Sequence, residues 1–219
     1  MEVTLHEPSS RRPLPLMVYQ PADAACATPC KVVLFGTGYR VGRHEYSFLG
    51  GALARAGYLT VVLQHDLSND APMPSTGDIA KDRGPFWRTG ELALASILKQ
   101  LPSYFPAYDW TSVVLSGHSQ GGDIAALFAG KNPEHVRVLF TLDNRRVPLP
   151  RGAVFPVLSL RSADQAPDPG VLPPPGSAIC TLDMPQSTHD RMTDSGDNSA
   201  KDVLASAVLR FLEQGECAR

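Results

Sequence analysis

Residues 112–122 read SVVLSGHSQGG, and DIAALFAG follows directly. Val113, Val114 and Leu115 form an apolar, β-branched run of the kind that makes a buried strand. DIAALFAG has the composition of a helix. Between them lies Gly117-His118-Ser119-Gln120-Gly121, a G-x-S-x-G pattern. The pattern by itself is common, because glycine and serine are. Set between a strand and a helix, it predicts a nucleophile elbow, a sharp turn that holds one serine hydroxyl clear of the sheet. The residues two before and two after that serine crowd against it in space, so both must be small, and Gly117 and Gly121 provide the room.

Outward from this turn, apolar β-branched runs alternate with longer segments of helical period. Residues 16–21 read as an edge strand, given the flanking prolines. Residues 31–37, 58–65, 136–143, 154–161 and 178–184 read as further strands, and 45–55, 87–101, 119–130 and 202–214 as helices. A polar loop occupies 66–85, and a proline-rich connection occupies 166–176, read as a stiff surface loop that also forms one wall of the site. The alternation predicts an α/β fold, a mostly parallel sheet with helices on both faces. A chain of 219 residues suits a single domain over 1–219.

Composition narrows the function. Hydrophobic residues make up 43% and charged residues 19%, enough for a packed core and too little charge for a disordered chain. Twenty basic and 22 acidic residues leave a net charge of −2, which argues against a nucleic-acid partner. No run is long enough to span a membrane. Residues 1–21 lack the apolar core of a signal peptide, so a cytoplasmic location is expected. Cys26, Cys30, Cys180 and Cys217 are the four cysteines. Cys26 and Cys30 are spaced for a local disulfide or half a metal site, but no second pair at ligand spacing exists. Free thiols in a reducing compartment, and no metal, are therefore expected.

From residue 16 to 214 the chain resembles the α/β-hydrolases, and within them the small lid-less serine esterases of the dienelactone-hydrolase and platelet-activating-factor acetylhydrolase type. GTGYRVGRHEYSFLGGALARAGY, GHSQGG and STHDRM carry the likeness. The resemblance implies a triad in the chain order Ser, acid, His, with Ser119 as nucleophile. His189, on the loop after the last strand, is the expected base. Asp164, just beyond the penultimate strand, is the preferred acid, with Asp143 at the end of the preceding strand as its rival. Asp168 is a weaker choice, and Asp190 is too near His189 in sequence. One oxyanion-hole donor is the Gln120 amide. Gly38 falls at the family's glycine, which makes the Tyr39 amide the second donor. Thr37 stands where many relatives have histidine, leaving open what props that loop.

The implied reaction is hydrolysis of small carboxylic esters through an acyl-enzyme, with thioesters or amides as variants and no cofactor. About ten residues separate the strands ending at 143 and starting at 154, too few for an inserted cap. Arg145 and Arg146 are candidates for binding an acidic substrate, as against a plain solvated or Asp143-paired couple. A non-catalytic binding protein on the same fold is the alternative. The oligomeric state is not legible.

Overall fold

One sheet of eight strands runs in the order β1-β2-β4-β3-β5-β6-β7-β8 in the computed structural model, which describes residues 1–22, 29–174, 176–215 and 217. The strands are β1 (Glu2–His6), β2 (Pro13–Tyr19), β3 (Cys30–Gly36), β4 (Leu59–Leu63), β5 (Tyr108–His118), β6 (Val136–Leu142), β7 (Val157–Ser162) and β8 (Cys180–Met184). From β4 to β8 the neighbours are parallel, while β1 and β2 are antiparallel additions at one edge. The helices are α1 (Ser47–Arg55), α2 (Ile79–Tyr104), α3 (Gln120–Lys131) and α4 (Asn198–Gln214).

The parallel strands are buried on both faces, so alternate residues feed two cores. Leu34, Leu115 and Leu139 meet Leu94 and Ile97 of α2 and Ile124 and Phe128 of α3. Val33, Phe35, Val114 and Phe140 meet Leu49 and Leu53 of α1 and Leu204 and Val208 of α4. The carboxyl ends of β3, β5 and β6 thus emerge together between two helical layers, which is where parallel sheets of this kind hold their ligands.

Three boundaries differ from the sequence reading. The strand near residue 16 is not an edge: Glu2–His6 pairs outside it, with Val3 opposite Leu16. The polar loop after β4 is shorter than 66–85, because α2 begins at Ile79. Asp78 caps it by accepting from the Lys81 amide at 3.1 Å, and Asp82 bonds Thr76. The last helix starts four residues before 202, at Asn198. Residues 143–156 between β6 and β7 form a connection without an inserted cap.

The free-thiol expectation is overturned. Cys180 on β8 is bonded to Cys217 beyond α4, and Cys30 is also disulfide-bonded, while Cys26 lies outside the described residues. Spacing hid the Cys180–Cys217 bond, since its partners are 37 residues apart and meet only because α4 packs back beside β8. Such bonds persist in oxidising surroundings, so the thiol argument for the cytoplasm falls away. Among the described residues no helix is long and apolar enough to cross a membrane. Cys217→Ser is expected to lower unfolding stability by about 2–4 kcal/mol, read from urea midpoints, because it frees a long loop in the unfolded chain. A midpoint unchanged by the substitution would show that the bond contributes nothing.

Candidate active site

Ser119 sits in the turn between β5 and α3 with φ +50° and ψ −115°. That conformation is rare for a residue with a side chain and costs about 1–3 kcal/mol. It persists because the turn is held on both sides: the Ser119 amide donates to Leu142 at 2.8 Å, and the Asp123 amide donates to the Ser119 carbonyl at 2.9 Å. The two flanking glycines are required by space. A Cβ on Gly117 would lie 2.3 Å from the Gly121 carbonyl carbon, and one on Gly121 would lie 2.2 Å from the Gly36 oxygen.

His189 lies in a short 3₁₀ turn after β8. Its Nε2 is 3.0 Å from the Ser119 hydroxyl oxygen, and its Nδ1 is 2.6 Å from Asp143 Oδ2. An ionised carboxylate can only accept, so the proton belongs on Nδ1 and the lone pair of Nε2 faces the serine. Asp143 is fully buried, at the end of β6 with φ +54°. Burial pushes its carboxyl upward. The bond from His189, the Arg161 charge and the Ser162 hydroxyl at 2.5 Å outweigh that and hold it below the usual range. Arg161, itself buried, places NH2 2.8 Å from Asp143 Oδ1, off the line of a hydrogen bond, and donates through NH1 to the Asn144 carbonyl at 2.8 Å.

The preferred acid of the sequence reading, Asp164, is not at the ring. It is exposed and accepts from the His189 backbone amide at 2.7 Å, steadying the loop rather than the imidazole. Register explains the difference. His118 on β5 pairs with Leu142 on β6, so Asp143 emerges level with Ser119 one strand away. Asp164 leaves the sheet a strand further on, and strands are about 4.8 Å apart.

The loop after β3 is propped by groups other than a histidine at position 37. Thr37 is buried, its amide donates to Leu63 at 3.0 Å, and its hydroxyl accepts from the His65 amide at 3.4 Å. The Gly38 amide donates to the Tyr46 hydroxyl at 3.0 Å, and that hydroxyl meets His118 Nδ1 at 2.9 Å. Asp66 accepts from the Arg40 amide at 2.9 Å and from the Gln120 side chain at 3.3 Å, tying the loop to the start of α3. The Tyr39 amide has no acceptor among the described residues. Gln120 opens α3, where the first amides have no partner within the helix. Both amides therefore remain available on the cleft that Ser119 and His189 also line, a cavity of about 240 Å³.

His118, the second residue of the elbow motif, is buried beside His189 with ring centroids 4.9 Å apart. Burial, and then the neighbouring His189, press its pKa down to about 3, so it is a neutral wedge between the loop and the His189 ring.

Neither a protein-family model nor a curated protein sequence matches the chain. Solved structures do. Est1E from Butyrivibrio proteoclasticus superposes with a TM-score of 0.69 at 14% identity, over 97% of this chain and 98% of that one. Esterase 2 from Thermogutta terrifontis gives 0.69 at 13%, over 100% and 96%. XC6422 from Xanthomonas campestris, described as an α/β serine hydrolase without a lid, gives 0.61 at 16%, over 100% and 96%. The fold is the lid-less α/β-hydrolase fold. At such identities the likeness is one of architecture, and chemistry has to be argued from the residues.

In this α/β-hydrolase fold Arg145 and Arg146 follow β6 and line the Ser119 cleft. Their backbone amides, with that of Val147, converge on one Asp123 oxygen at 3.0, 2.9 and 3.0 Å. The Arg146 guanidinium pairs with Asp168. The proline-rich connection thus backs the cleft through Asp168 instead of lining it. Three residues escaped the sequence reading: Arg161, Asp66 and Arg83. Arg161 sits in an apolar strand pattern, and only the strand order points its side chain at Asp143. Arg83 fell inside the stretch read as a polar loop. Among the described residues no group of three His, Cys, Asp or Glu side chains is placed to hold a metal.

Proposed function

We propose that the chain is a serine hydrolase of small carboxylic esters, with Ser119 as nucleophile, His189 as base and Asp143 as acid. The observation that carries this reading is the continuous chain of contacts from the Ser119 hydroxyl through His189 to Asp143, at 3.0 and 2.6 Å. Ser119 Oγ attacks the ester carbonyl carbon while Nε2 takes its proton. The Gln120 and Tyr39 amides receive the negative oxygen of the tetrahedral intermediate. The carbonyl re-forms, the C–O bond to the alcohol breaks, and Nε2 returns the proton to the departing oxygen. Water then enters, gives a proton to Nε2 and attacks the acyl carbon. Collapse breaks the bond to Ser119, whose oxygen regains the proton as the acid leaves. Asp143 keeps the proton on Nδ1 and stabilises the imidazolium in both halves.

Short connections around the cleft favour small acyl groups. A 4-nitrophenyl ester series tests this, with rates expected to peak at acetate to butyrate, and a fluorophosphonate should label Ser119. Rates that rise into long chains would contradict the small-substrate reading. Absence of both turnover and labelling in folded protein would overturn the hydrolase reading itself.

Arg161 gives a pH prediction. Its positive charge helps hold the Asp143 carboxyl below the usual range. Arg161→Gln is expected to raise that carboxyl, so that the acid limb of kcat/KM falls off at a higher pH, with kcat lowered about tenfold or more. A limb that stays in place would reduce Arg161 to a packing role.

A further inference from the structure

Two arginines in the Ser119 cleft have no hydrogen-bonded or ionic partner for their side chains among the described residues. Arg83 comes from the start of α2 and Arg145 from the loop after β6, and both are half-buried. The Arg145 Nε is fully buried and unbonded. Arg83 is held below its usual pKa, first by burial and then by the charge of Arg146. A chain gains nothing in stability from burying like charges without partners, since desolvation and mutual repulsion both act against it.

The geometry keeps them in place. Asp123 holds the backbone of residues 145–147 by three amide bonds. Asp168 takes the Arg146 guanidinium and also donates its amide to the Arg145 carbonyl at 2.9 Å. Arg145 therefore cannot swing away with a flexible loop. Of the two carboxylates in the same lining, Asp123 attracts Arg83 from a distance without pairing with it, its Oδ1 taken by those three amides, and Asp190 stands exposed at the rim.

Resting on the hydrolase reading above, we propose that Arg83 and Arg145 form a carboxylate-binding subsite beside Ser119, and that the esters cleaved here carry a free carboxylate. Guanidinium groups match a carboxylate's planar pair of oxygens. With Asp123 and Asp190 nearby, the pair suits one negative charge better than a doubly charged phosphate. The cleft, at about 240 Å³, restricts the whole to a small half-ester or a small carboxylated alcohol ester. Hydrolysis itself is unchanged: the carboxylate remains intact and serves only as the handle that places the scissile carbonyl at Ser119.

Matched substrates test this. For a charge on the acyl side, mono-4-nitrophenyl glutarate is compared with its methyl ester. For a charge on the alcohol side, 4-acetoxybenzoate is compared with methyl 4-acetoxybenzoate. The charged member of at least one pair is expected to have a kcat/KM about tenfold or more higher, mostly through KM, as charge-assisted hydrogen bonds imply. Arg83→Gln and Arg145→Gln should each bring that ratio towards one. No preference in either pair overturns the proposal, as does a preference that both variants retain. Where the variants do not fold, a trimethylammonium ester replaces them as the test. It should be cleaved more slowly than the neutral ester, and equal or faster cleavage overturns the proposal. If neutral esters turn over without preference, the subsite fails alone and the hydrolase reading stands. If no ester turns over, that reading fails, and the subsite is judged by whether glutarate raises the Tm of the unmodified protein. No rise ends it.

Discussion

Ser119→Ala is expected to lower kcat for a 4-nitrophenyl ester by roughly six orders of magnitude. The expectation follows from the contact geometry. The hydroxyl lies 3.0 Å from His189 Nε2, on a turn held at φ +50°. Without the oxygen no acyl-enzyme can form, and what remains is whatever the Gln120 and Tyr39 amides do for direct attack by water. His189→Ala should cost about as much. The double variant should cost little more than either single one, because the two residues act as a unit. Burst titration with a 4-nitrophenyl ester reads this directly: about one equivalent for the unmodified protein and none for either variant. A burst that survives Ser119→Ala would place the nucleophile elsewhere. Stability should change little, since alanine keeps the Cβ that meets the backbone at positive φ and loses only the hydroxyl contact with His189.

Asp143→Asn is expected to lower kcat by about 10⁴-fold, whereas Asp164→Asn should cost less than about tenfold. The asparagine amide can donate to Nδ1, which would move the imidazole proton to Nε2 and remove the base facing Ser119. It would also leave Arg161 buried without its counter-charge, so unfolding stability should drop as well. Asp164→Asn retains an oxygen able to accept from the His189 amide, so the loop should hold its place. The comparison of kcat between the two variants decides the matter. Collapse in Asp164→Asn with Asp143→Asn near normal would mean that the contact at 2.6 Å has no role in turnover.

Local pattern was enough for some of this and not for the rest. The elbow was legible because its requirements are local: a strand, a turn with two glycines and a helix within twenty residues. The parallel sheet was legible because buried strands read as continuous apolar runs. The antiparallel strand Glu2–His6 was not, since it is short, at the edge and mostly exposed, and so carries a weak pattern. The start of α2 was misplaced because Pro85 reads as a loop signal, while the Asp78 cap and the bonds from Asp82 to Thr76 fix the true boundary.

The amino-acid sequence by itself determined the fold class and singled out the serine and the histidine that the proposed mechanism uses. Each is set by a pattern whose physical cause lies within a few residues of chain, or by the order of segments along it. Tertiary structure alone decided which carboxylate meets His189, what props the loop after β3, which arginines stand open in the cleft, and that Cys180 meets Cys217. Those pairings depend on strand order and register. A shift of one strand moves a side chain by about 4.8 Å, more than the reach of any hydrogen bond.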